Sequence, residues 1–95
     1  MAPVTATVAL ERVAWGTRLD LTCTYTADRE YGAPPPATYV LVVRTQDGTS
    51  EQVATWRSIP NRTMQLAGAT AARPRDIVSV EVRAEDGTPV LRLAA

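Results

Sequence analysis

Histidine, lysine and phenylalanine are missing from this 95-residue chain, and cysteine occurs once. Without histidine there is no ordinary general base near neutral pH, no Ser–His or Cys–His pair and no imidazole metal ligand. A lone cysteine, Cys23, permits no intramolecular disulfide. It lies in a run of alternating apolar residues, where a small buried hydrophobe is the expected role. No stretch approaches the roughly 18–20 apolar residues of a membrane span, and no signal peptide opens the chain. These residues by themselves are therefore expected to be soluble. Ten arginines balance ten acidic residues, so the clustered basic excess that neutralises nucleic-acid phosphates is absent. Asparagine and isoleucine are as scarce as lysine is absent, which points to a high-GC bacterial genome. Arginine in place of lysine then reflects codon use and is no argument for bidentate recognition.

What is present is alternation. At 45% hydrophobic, residues 1–95 make one globular domain, large enough to bury roughly 60–70% of its unfolded surface. Met1-Ala2-Pro3 reads equally as a true start or as a start codon added to an excised domain. Val4, Ala6, Val8 and Leu10 alternate with Thr5, Thr7, Ala9 and Glu11. After a turn at Trp15-Gly16-Thr17, Leu19, Leu21, Cys23 and Tyr25 alternate with polar neighbours. Both runs have the period of half-buried strands. Residues 27–37 form a loop stiffened by three prolines. Further strands are expected at Thr38–Thr45, Ser50–Ser58, Thr63–Ala67, Ile77–Ala84 and Thr88–Leu93, with a small-residue loop over 68–76.

Asp47-Gly48 and Asp86-Gly87 each read as the centre of a two-residue hairpin. That choice sets a register. Arg44 is expected opposite Glu51, Val42 opposite Val53, Leu41 opposite Ala54 and Tyr39 opposite Trp56. In the second hairpin Val82 meets Leu91, Val80 meets Leu93, Glu81 meets Arg92 and Arg83 meets Val90. The expected core includes Tyr39, Leu41, Val43, Ala54, Trp56, Met64 and Leu66. Seven short strands without an amphipathic helix predict an all-β, immunoglobulin-like or fibronectin-like antiparallel sandwich, with a small closed barrel as the alternative.

No catalytic, metal or cofactor-binding residue emerges, and an enzyme is not expected. Glu11, Asp20, Glu51 and Glu81 fall on expected solvent faces, Asp47 and Asp86 are turn residues, and Asp28 with Glu30 is too sparse for calcium. Three features remain as contact candidates for a protein or small ligand. One is the loop carrying Arg29, Glu30, Tyr31 and Pro34-Pro35-Pro36, read either as a recognition loop or as a stiff cover. Another is Trp15, either a plug under the core or an exposed anchor. The last is an outward face of Val40, Val42 and Val53, a homodimer or partner surface unless a loop covers it.

The segments Ala6–Glu11 and Ala14-Trp15-Gly16-Thr17 resemble the start of the C-terminal domain of actinobacterial transmembrane anti-sigma factors of the zinc-finger type. Glu51–Trp56, Val80–Arg83 and Asp86–Leu91 extend the resemblance over nearly the whole chain, the Trp-Gly-Thr element being its most specific part. The resemblance implies an extracytoplasmic sensor or protein-interaction domain. In the parent it would follow a membrane helix and a zinc-binding domain that holds a sigma factor inactive. Neither a His/Cys zinc motif nor a membrane span occurs here, so no functional residue carries over. A structural or adhesive immunoglobulin-like repeat of a bacterial surface protein is the alternative.

Overall fold

A computed structural model of the chain describes residues 4–25, 37–59 and 62–94. Seven strands follow one another: β1 Val4–Val13, β2 Gly16–Tyr25, β3 Thr38–Thr45, β4 Ser50–Arg57, β5 Thr63–Thr70, β6 Ile77–Ala84 and β7 Pro89–Ala94. One 3-10 turn, Pro74–Asp76, precedes β6. The strands form two antiparallel sheets, ordered β1-β2-β5 and β4-β3-β6-β7. The all-β sandwich expected from alternation is what the chain adopts.

Most inward residues are those that the period of two selects; Ile77 and Val53 are inward where bulges break the alternation. Leu19, Leu21 and Cys23 of β2 meet Leu41 and Val43 of β3, Trp56 of β4 and Val80 and Val82 of β6, all buried. Ala6, Val8 and Leu10 of β1 and Met64 and Leu66 of β5 pack around them. Tyr39 and Trp56 stand opposite each other with ring centroids 6.2 Å apart, within the range where aromatic pairs attract beyond simple area burial. At the open end of the β3–β4 hairpin, Ser58 N–H donates to the Ala37 carbonyl at 2.8 Å while Ala37 N–H donates to Ser58 Oγ at 3.1 Å.

Both Asp-Gly hairpins correct the expected turn. Gly48 N–H donates to the Thr45 carbonyl, and Gly87 N–H to that of Ala84. Gln46-Asp47 and Glu85-Asp86 are therefore the central pairs, each followed by a glycine with positive φ. This is the three-residue hairpin loop that ends in a glycine bulge. The aspartates select it. Asp47 accepts a hydrogen bond from Thr49 N–H, and Asp86 one from Thr88 N–H, an Asx turn that holds the loop.

The longer loop shifts the register by one residue, and a second irregularity farther along each hairpin shifts it back. In the first hairpin Val42 faces Gln52, Val43 faces Glu51 and Arg44 faces Ser50, while Leu41 faces Ala54 and Tyr39 faces Trp56 as expected. Val53 is the extra residue. In the second hairpin Val82–Leu91, Glu81–Arg92 and Val80–Leu93 hold as expected, but Arg83 faces Pro89 and not Val90. The Arg44–Glu51 pair is consequently not formed. Arg44 instead reaches Glu81 on the neighbouring strand, Nη1 to Oε2 at 3.6 Å.

A double-mutant cycle checks this register. Charge reversal at Arg44 and Glu51 should show no coupling. Exchanging the charges of Glu81 and Arg92 should recover a few tenths to about 1 kcal/mol of the loss from the single reversals. Coupling between Arg44 and Glu51 would restore the two-residue turn in the first hairpin.

Two strands are also longer than expected. β5 continues through Gly68 to Thr70, where an apparent small-residue loop allows close packing of Val53 on Gly68. Val13 pairs with Gly16, so the β1–β2 turn is Ala14-Trp15 and Gly16 already belongs to β2.

Candidate functional site

Strand direction decides which loops share an end. The β1–β2 turn, the β3–β4 hairpin and the segment between β5 and β6 gather at one end of the sandwich. β2 ends and β3 begins at the other end. The candidates Arg29, Tyr31 and Pro35 lie outside the described residues.

Trp15 is 56% exposed; it is not the plug considered above. The cause lies in the next residue. Gly16 has φ +147°, and a Cβ placed there would sit 2.1 Å from the Thr70 carbonyl oxygen. Gly16 is itself buried against the end of β5, which leaves the turn residue before it standing outward. The buried Thr17 hydroxyl donates to the Ala72 carbonyl at 2.7 Å, tying the same turn to the β5–β6 connection.

Arginines surround the tryptophan. Arg12 and Arg73 line a hollow with Trp15, Ala14 and Ala71. A neighbouring hollow of about 340 Å³ is walled by Arg12, Arg73, Pro74 and Arg75 over the half-buried Leu10. Among the described residues none of these three arginines forms an ion pair. On the β4 side of the same end, Asp47, Glu51 and Asp76 line a separate depression. Gln46 holds the two halves in place, its N–H donating to the Asp76 carbonyl and its Nε2 to that of Arg75. One end of the domain thus presents an exposed aromatic ring beside fixed positive charge, with negative charge across from it. Such a separation orients an approaching partner. Among the described residues no group of three or more His, Cys, Asp or Glu side chains is placed to hold a metal, and no helix is long and apolar enough to cross a membrane.

The valine face requires correction. Val40 is half-buried, Val42 is 5% exposed, and Val53 packs on the core side against Gly68. Val42 points outward but is flanked by Gln52 and Glu81 on the neighbouring strands. The bulge turns Val53 away from that face. The exposed valine surface that a dimer would use does not form.

On that same outer face the sequence reading missed a cluster. Glu81, expected to be solvated, is only 3% exposed. Arg83 approaches its Oε1 through Nη2 at 3.3 Å and Nε at 3.4 Å, while Arg92 reaches Oε2 at 3.5 Å and Arg44 the same oxygen at 3.6 Å. Burial pushes the Glu81 carboxyl up. The charge and hydrogen bonds of Arg83, followed by those of Arg92, outweigh burial and hold it below its ordinary value. The carboxylate is covered by guanidinium groups and their stems, not sunk in the core. Glu81–Arg92 was legible from the hairpin; the other two partners depend on β3 and on neighbours two residues apart along β6.

Comparison of the chain with protein-family models, curated proteins and solved structures finds no match.

Proposed function

We propose that the chain is a non-catalytic sensor or protein-interaction module with an immunoglobulin-like or fibronectin-like fold. On this reading it is the outer domain of an anti-sigma factor of the transmembrane zinc-finger type, acting by contact with a protein or small ligand. The strand orders β1-β2-β5 and β4-β3-β6-β7 support the fold reading, since strands cross between two sheets as in that group of sandwiches. The observation that carries the functional reading is the end surface of exposed Trp15 beside Arg12, Arg73 and Arg75, which form no ion pair among the described residues. Aromatic and arginine side chains dominate the energetic centres of protein interfaces. β1 begins at the opposite end. An anchor preceding it would leave the Trp15 end directed away from the bilayer, towards partners outside the cell membrane.

In the full-length parent, the Trp15→Ala, Arg73→Ala double variant should change sigma-dependent transcription as deletion of residues 4–94 does, at unchanged protein level. A variant indistinguishable from wild type, where the deletion has an effect, would remove the Trp15 end from the function. The sequence encoded before Ala2 tests the family reading. It should contain a membrane-length apolar segment and, upstream of it, a His/Cys cluster.

One observation favours the structural or adhesive repeat as a second reading. β1 starts at one end and β7 finishes at the other, as tandem domains in a fibre require. Further β-domains upstream would decide for it.

A further inference from the structure

The outer face of the four-stranded sheet carries more positive charge than its own carboxylate neutralises. Three guanidinium groups converge on Glu81, so among the described residues one negative charge answers three positive ones and two remain. The contacts of 3.3–3.6 Å are longer than the roughly 2.7–2.9 Å of a fully committed charge-assisted bond. One carboxylate is shared among four N–H donors, and none of them comes to full bonding distance. Beside it, Ser79 is 5% exposed and its hydroxyl has no hydrogen-bond partner among the described residues.

The register places these groups together. Ser79 lies directly opposite Arg44 on β3, and Glu81 directly opposite Arg92 on β7. Ser79 and Glu81 alternate with the core residues Val80 and Val82 and therefore point to the outer face. Arg44, Arg92 and Ser79, with Thr45 and Val78, line one shallow depression. Arg44 and Arg92 sit on strands either side of β6, about 10 Å apart across two inter-strand spacings. Their flexible guanidinium groups can close from both sides over an ion seated above Ser79.

We propose that Arg44, Arg92 and Ser79 form a binding site for a phosphate-class oxyanion. Two uncompensated positive charges match a dianion, whereas a carboxylate would neutralise only half of them. The several acceptor oxygens of a tetrahedral anion suit two guanidinium groups and a hydroxyl approaching from three directions. When the anion binds, the arginines turn unused N–H donors from Glu81 towards it, and the Ser79 hydroxyl gains the acceptor it lacks. The site is separate from the Trp15 end and does not depend on the role assigned there.

The test is titration of the 15N-labelled domain with inorganic phosphate at constant ionic strength, balanced with chloride, followed by amide and arginine Nε–H shifts. Saturable shifts at Ser79, Arg44 and Arg92 are expected, with Arg92→Gln weakening affinity about tenfold or more. Arg92 is largely exposed, so this variant is expected to fold. Ser79→Ala should weaken binding severalfold while unfolding at no lower denaturant concentration than wild type, because the hydroxyl it removes is unsatisfied in the free protein. Shifts that never saturate, or Ser79→Ala and Arg92→Gln variants that bind as wild type does, would overturn the site. Titration with O-phosphoserine separates the sources of the anion. Binding at least as tight as inorganic phosphate identifies a phosphate ester on a partner; much weaker binding identifies the free ion.

Discussion

Replacing Gly16 by alanine should cost about 3 kcal/mol or more of folding stability, read as a fall in the urea midpoint without change of slope. Two effects add. The backbone at Gly16 has φ +147°, where a side-chain-bearing residue is strained by about 1–3 kcal/mol. The new methyl group would also lie 2.1 Å from the Thr70 carbonyl oxygen and 2.8 Å from Ala71 Cα. Both obstructions are backbone, so no side-chain rotation relieves them. β5 would have to withdraw from β2, pulling on the Thr17–Ala72 hydrogen bond and on the loop that carries Arg73. The adjacent Trp15→Ala change should cost much less, because that ring is mostly in solvent. Equal losses at the two positions would show that the close approach does not constrain the fold.

Removing the Glu81 carboxylate should be the other large effect. Glu81→Ala should cost about 2 kcal/mol, below the roughly 3–5 kcal/mol of breaking a deeply buried pair. The discount follows from the partners: Arg44, Arg83 and Arg92 are 42%, 25% and 62% exposed, and water screens part of the repulsion they would inherit. Glu81→Gln keeps the shape and should cost about 1 kcal/mol. The same group sets an acid dependence. Its folded pKa is depressed, so its contribution is complete above the unfolded value, near 4.5. As pH falls through that value the unfolded chain takes up its proton first, and stability declines until the folded group also protonates. Asp47, held low chiefly by the Thr45 hydroxyl, and Asp86, held low chiefly by Thr88 N–H, act in the same direction at lower pH. Urea midpoints should be nearly flat from about pH 5 to 8, since no histidine titrates there. They should fall more steeply below about pH 4.5 in wild type than in Glu81→Gln. Identical acid limbs would show that the cluster does not lower the Glu81 pKa.

The hairpins show where a sequence pattern stops being sufficient. A two-residue turn and a three-residue turn with a later bulge lead to the same pairing at the far end, so Tyr39–Trp56 and Val80–Leu93 emerge from either. Between turn and bulge they differ by one residue, and there Arg44 loses Glu51 and Val53 leaves the outer face. The valine surface was inferred from that short stretch and disappears with it. Trp15 was ambiguous for a related reason. Its exposure depends on how closely β5 approaches Gly16, a contact between residues far apart in the chain.

Sequence alone determined the number and order of the strands, most of the inward side chains and the burial of Cys23. Alternation is a local property, and side chains leave an extended backbone on opposite sides whatever its neighbours are. Tertiary structure alone decided that Glu81 lies under three arginines, that Ser79 is buried with no hydrogen-bond partner among the described residues, and that Trp15 stands clear beside Arg12 and Arg73. Each depends on how separate strands and loops are aligned, and on single-residue shifts between neighbours. Those shifts are settled by competing turn hydrogen bonds, bulges and backbone clashes, none of which the spacing of apolar residues records.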